Sequence, residues 1–117
     1  MSPPATHGRF EAPKKSAYSF ERWDSTWEKE YMADLEADPE VPAWTKNHKI
    51  GIPYIDSQNR KREYRPDFLV KLTSGDIQLQ EVKGGHLKHQ PDTKRKLEAG
   101  ERWCAERDAE FVLVTKE

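Results

Sequence analysis

The sequence predicts an α/β fold in the order helix, strand, strand, strand, helix, strand, with a mixed sheet flanked by helices. Three observations predict it. A capped amphipathic segment begins near Ser25. The stretch YRPDFLVKLTSGDIQLQEVKGG (64–85) reads as two apolar strands around the tight-turn signal Ser74-Gly75-Asp76. A second helical stretch then leads to the continuous apolar run Phe111-Val112-Leu113-Val114, as in a parallel pairing reached through a helical crossover.

A chain of 117 residues is the size of one domain. With 34% hydrophobic and 35% charged residues, a few apolar segments must supply the core. The single cysteine, Cys104, excludes an internal disulfide and a cysteine-rich zinc site. No apolar run reaches membrane-spanning length, and MSPPATHGRF lacks the apolar core of a signal peptide, so a cytoplasmic localisation is expected. The net charge of −1 hides an uneven layout. Residues 21–47 hold three Lys/Arg against eight Asp/Glu; residues 48–96 hold eleven against six. The basic half suits either phosphate contacts or a mixed, solvated surface.

Residues 1–23, with Pro3, Pro4 and Pro13 and the cations Arg9, Lys14 and Lys15, show no periodicity and are expected as a flexible basic tail; residues 24–117 form the domain. Ser25-Thr26-Trp27-Glu28 matches a capping box, so a helix should run from Ser25 to about Ala37, ahead of Pro39. Glu28, Tyr31, Met32 and Leu35 share its buried face. Glu28 either caps only or also points at a metal site, and both roles are compatible. Val41 to Asn47 reads as the first strand, Ile50 to Ile55 as a strand or extended loop, and 56–59 as a turn. Arg60 to Leu72 reads as one continuous second strand and Ile77 to Lys83 as the third, antiparallel to it. Asp92 or Thr93 caps a helix to about Arg107, in which Gly100 marks a close approach to the sheet. The last strand, 111–114, is expected to be buried on both faces.

Within this frame three charges stand where a strand should be apolar. Asp67 opens the second strand after Pro66; Glu81 and Lys83 end the third, on the same face as Ile77 and Leu79. A full hairpin pairing brings Asp67 and Glu81 to the same end of the sheet. Burying charge without a partner is costly, and an ion shared by the carboxylates would offset that cost. The four histidines, His7, His48, His86 and His89, form no zinc pattern and read as surface or loop residues. The four tryptophans read as core or core-edge, with Trp23 the best exception as a base-stacking residue.

This order of elements, with Pro66-Asp67 and Glu81-Val82-Lys83, resembles the PD-(D/E)xK nuclease superfamily and its restriction-endonuclease-like fold. WEKEY, AWTKN, YRPDFLV and EVKG look most like the C-terminal endonuclease domain of type III restriction enzymes and, less closely, like transposon end-cleaving nucleases. The resemblance covers about residues 24–115. It implies a magnesium-dependent DNA endonuclease, with manganese as a substitute, in which Asp67, Glu81 and the Val82 carbonyl hold the ion. It further implies that Lys83 orients the attacking water and that Glu28 is the first-helix acid. Arg60, Lys61, Arg62, Lys88, Lys94 and Lys96 are the candidate DNA-backbone contacts. The chain has no GxxxxGK[S/T] motif and no evident recognition domain. The resemblance implies a role in restriction or defence; in that role sequence choice is expected from a homodimer, a larger helicase or recognition subunit, or the N-terminal tail. The alternatives are a transposon end-cleaving nuclease, or a non-catalytic DNA-binding or assembly subunit that keeps the fold.

Overall fold

A computed structural model of the chain describes residues 7–84 and 91–116. The elements are β1 (Gly8–Glu11), β2 (Phe20–Trp23), α1 (Thr26–Ala37), β3 (Ala43–Thr45), β4 (Ile52–Ile55), β5 (Lys61–Tyr64), β6 (Phe68–Lys71), β7 (Ile77–Gly84), α2 (Pro91–Ala105) and β8 (Glu110–Lys116). The central sheet has the order β3-β6-β7-β8, antiparallel except for the parallel β7–β8 pair. Taken with α1 and α2, this is the expected helix, three strands, helix, strand, on a mixed sheet.

Alternation along the strands splits the core into two layers. Phe68 and Val70 face α1, where they join Trp23, Met32, Leu35, Val41 and Trp44. On the opposite face Leu79 joins Ile52, Tyr64 and, from α2, Ala99 and Cys104. Ser25 caps α1 as expected, its side chain accepting the Glu28 N–H at 3.1 Å. Gly100 does mark a close approach: a Cβ there would lie 2.5 Å from the Phe111 ring.

Three expectations need correction. Residues 60–72 are not one strand. The chain leaves β5 at Arg65, passes through Pro66 and Asp67, and starts β6. Proline has no N–H to donate and disfavours a helical residue before it, so it suits a break between two pairings. β5 pairs with β4 in a separate hairpin, while β6 pairs with β3 and β7.

Residues 8–23, expected as a flexible tail, form a second separate hairpin, β1–β2. Its inner face is apolar enough to dock: Trp23 is buried, and Phe10 meets Trp44 edge-on at 6.1 Å. The buried Glu21 adds hydrogen bonds from Thr45 Oγ1 at 2.6 Å and the Lys46 N–H at 3.0 Å. Trp23 is thus a core residue rather than an exposed stacking platform. Third, Phe111 to Val114 are half-buried, because β8 forms an edge of the described sheet.

Candidate active site

The β6–β7 hairpin positions the acidic pair. Phe68 pairs with Gln80, so one step further toward the open end sets Asp67 beside Glu81. A hydrogen bond fixes that step: the Val82 N–H donates to Asp67 Oδ2 at 2.8 Å. Glu81 is buried, and Tyr64 at the end of β5 donates its hydroxyl to Glu81 Oε1 at 2.8 Å. Tyr64 is itself buried, and its hydroxyl is held well above the ordinary tyrosine range by burial and by the adjacent Glu81 carboxylate.

Electrostatics single out Asp67. Burial first, then the facing Glu81 carboxylate, push its carboxyl up to about 7. The Val82 N–H opposes this, Glu28 adds to it and Lys46 opposes it. Negative charge is therefore concentrated at this end of the sheet, where two side-chain carboxylates and backbone carbonyls offer only hard oxygen donors. That donor set fits a hard divalent cation such as magnesium, which would reverse the repulsion. Among the described residues no group of three or more His, Cys, Asp or Glu converges as a metal cluster; Asp67 and Glu81 are two carboxylates set side by side at the sheet end.

Glu28 sits at the N-terminus of α1 and is engaged there. Its Oε1 accepts the Asp24 N–H at 3.0 Å and pairs with Lys46 Nζ at 2.7 Å. Lys46 also reaches Asp24 at 2.6 Å. Burial alone would lower the Lys46 pKa, but the bonds from Asp24 and Glu28 outweigh it and raise it. The structure thus shows the capping role of Glu28, and the acid reaches Asp67 through its field. Lys83 lies in β7 in register with Thr115; its side chain falls outside the described part.

The candidate DNA contacts divide. Arg60 and Arg62 flank the β4–β5 turn, and both give their Nε–H to the buried Asp56 Oδ2, at 3.3 and 2.9 Å. They are half-exposed anchors of a turn as well as surface cations. Lys61 is exposed and borders a cavity of about 550 Å³ together with Arg95 and Arg102 of α2. Lys94 is exposed and Lys96 half-buried on α2, and Lys88 lies outside the described residues.

Three residues of the site were missed in the sequence: Lys46, Tyr64 and His48. His48 is not a plain loop histidine. Its Nε2–H donates to the Pro66 carbonyl at 2.6 Å, and its Nδ1 accepts the Ile50 N–H at 3.0 Å. Both bonds together require the neutral ring, and burial lowers the His48 pKa in the same sense. The ring ties the β3–β4 link to the residue preceding Asp67. A cavity of about 280 Å³ opens there, bordered by Lys46, Asn47, His48, Arg65, Pro66 and Asp67. Only the separation in sequence hid these partners: each reaches its contact across many residues, where periodicity and motif spacing carry no signal.

No curated protein matches the chain. Residues 38–116 match the family described as TnsA-like endonuclease N terminal. The match supports the PD-(D/E)xK superfamily and not specifically the type III resemblance. The matched segment carries the whole central sheet, α2, Asp67 and Glu81, and leaves α1 and the β1–β2 hairpin outside it. With most of its length and its acidic pair inside the match, the chain belongs to the TnsA-like N-terminal endonuclease family, nucleases of the PD-(D/E)xK type.

Proposed function

We propose that this protein is a magnesium-dependent DNA endonuclease that hydrolyses phosphodiester bonds. The observation that carries the reading is Asp67 set beside Glu81, with Lys83 two residues on, in a chain of a nuclease family. Asp67, Glu81 and the Val82 carbonyl would hold the divalent ion, and manganese would substitute for magnesium. A bound ion there supplies activation of water and charge stabilisation at the phosphoryl group.

The chain's own residues do the rest. Tyr64 fixes one oxygen of Glu81, and the Val82 N–H fixes one oxygen of Asp67, so both carboxylates are held before substrate arrives. The Lys83 ammonium orients the attacking water and offsets charge that develops on the phosphoryl oxygens. Lys61, Lys94, Lys96 and the outer faces of Arg60 and Arg62, with Lys88, hold the DNA backbone without reading its sequence. The products carry a 5′-phosphate and a 3′-hydroxyl.

The family fits cleavage at transposon ends, and a restriction or defence role is the other setting in which such a nuclease would act. In either setting the choice of sequence comes from a second copy or a larger recognition subunit. The test is a supercoiled-plasmid assay with magnesium, manganese or chelator. Nicked or linear product with either ion, none with chelator, and none from Glu81→Ala protein is the expected result. Undiminished cleavage by purified Glu81→Ala protein overturns the reading. A folded wild-type protein that binds DNA yet never cleaves it, with or without its partner, favours the assembly-subunit alternative.

A further inference from the structure

The β1–β2 hairpin lies outside the family match, and its outer face has no role in the site described so far. Phe10, Glu21 and Trp23 point inward to the core and to β3, which leaves Arg9, Glu11, Phe20 and Arg22 on the other face. Arg9 and Arg22 are direct cross-strand partners. Both guanidiniums gather on the Phe20 ring, at 4.1 and 5.9 Å from its centroid. Both residues are exposed, and neither forms an ion pair among the described residues.

Like charges placed directly opposite on a strand pair are destabilising. The ring restrains this pair by cation–π attraction but does not neutralise it. Two guanidinium forks with no ion pair among the described residues, on a face that also carries Glu11, suit a ligand with repeated oxyanions, because Arg binds phosphate oxygens through paired N–H groups.

The position of the pair selects among such ligands. A cavity of about 380 Å³ runs from Phe20 and Arg22 to Asp24, Lys46 and Asn47. Those last three residues also border the 280 Å³ cavity that ends on Pro66 and Asp67. The two cavities share this border, which gives a trough from Arg22 to Asp67. Glu21 locks the hairpin to this trough through the Lys46 N–H and Thr45 Oγ1, so the offset between the two pairs is fixed. A polymer with a phosphate at Asp67 has to continue across neighbouring surface, and the trough leads it to Arg22, with Arg9 directly across the strand pair.

We infer that Arg9 and Arg22 form a clamp for the phosphate backbone of DNA flanking the cleaved bond. This rests on the nuclease reading and adds to it a contact made by a part of the chain outside the matched segment. The clamp reads no sequence; it lengthens the track of DNA held and sets its direction away from the site.

The test measures binding of a short labelled duplex by fluorescence anisotropy across a salt series, in full chain carrying Glu81→Ala to prevent cleavage. Adding Arg9→Gln and Arg22→Gln should weaken binding equally on unrelated sequences and flatten the log K against log salt slope by about 2. Arg22→Gln alone should flatten it by about 1, and the Arg9→Lys/Arg22→Lys protein should keep most of the slope because the charge remains. Melting curves that coincide with the parent show that the fold is unchanged, as expected for exposed side chains. DNA binding by the parent with the same affinity and slope in both Gln variants overturns the clamp alone, and would assign the pair to an acidic protein surface. Failure of the folded parent to bind DNA at all overturns the nuclease reading and the clamp with it.

Discussion

Asp56 and Asp67 are aspartates drawn partly or wholly out of water, and their surroundings drive them in opposite directions. Asp56 anchors the β4–β5 turn. Its Oδ1 accepts the N–H groups of Gln58 and Arg60, both at 2.9 Å, and its Oδ2 takes the Nε–H of Arg60 and Arg62. The Arg62 bond, then the backbone, hold it well below the usual carboxylate range. Asp67 has one backbone donor, at Val82, and a second carboxylate beside it, so burial and repulsion lift it. A carboxylate surrounded by donors is a structural anchor. One paired with another carboxylate is short of positive charge, and that shortage is what a metal site needs.

The largest expected effect separates the two roles. Asp67→Asn should slow plasmid cleavage by about a thousandfold, roughly 4 kcal/mol of transition-state stabilisation, and leave the fold intact. Asp56→Asn should do the reverse: cleavage per folded molecule is retained, while the melting temperature drops by several degrees because paired donors lose their charged acceptor. Plasmid nicking rates beside thermal melts decide this. If Asp56→Asn abolished cleavage without lowering Tm, the contrast would be wrong.

A smaller effect is expected at His48, which holds the loop in front of Asp67 and does not touch the reacting atoms. His48→Ala should reduce kcat about tenfold, with KM little changed, by loosening the Pro66–Asp67 turn. His48→Gln can still donate to the Pro66 carbonyl and should recover part of the loss. Equal kcat in all three proteins would remove His48 from the positioning of the site.

The smallest effect is on stability against pH, measured by urea unfolding with metal chelated. The folded-state pKa of Asp67 is raised, so between about 4 and about 7 the folded protein binds more protons than the unfolded chain. Its contribution to stability therefore falls as pH rises through that window. Asp67→Asn removes the fall, so the variant should match wild type near pH 4 and exceed it in stability at pH 8. Asp56, whose pKa is depressed, has the opposite sign: it stabilises above the carboxylate range and loses that contribution on acidification. A constant difference between wild type and Asp67→Asn across the range would show that burial and the facing Glu81 do not raise the Asp67 carboxyl in the folded protein.

Of the site, the acidic pair was legible in the sequence and its supports were not. Asp67 and Glu81 could be placed together because a short hairpin turn fixes the register of both strands. The role of Arg60 and Arg62 was only half legible, since a basic run gives no sign that Asp56 will draw two of its members inward. Glu28 was legible as a cap, because a capping box is local to one helical turn.

The sequence alone determined what local rules control: the start of α1 at Ser25, the turn at Ser74-Gly75-Asp76, the parallel return of β8 and the order of core elements. Only the tertiary structure decided the break at Pro66, the docking of residues 8–23 as a hairpin, and the roles of Lys46, His48 and Tyr64. Each of these depends on a partner distant in the chain: Pro66 on His48, Glu21 on Thr45 and Lys46, Glu81 on Tyr64. Periodicity and capping act over a few residues, whereas such pairs are chosen when the sheet, helices and hairpins pack. The acidic pair at this end of the sheet was therefore written in two local motifs, and its geometry was set by the contacts that hold them.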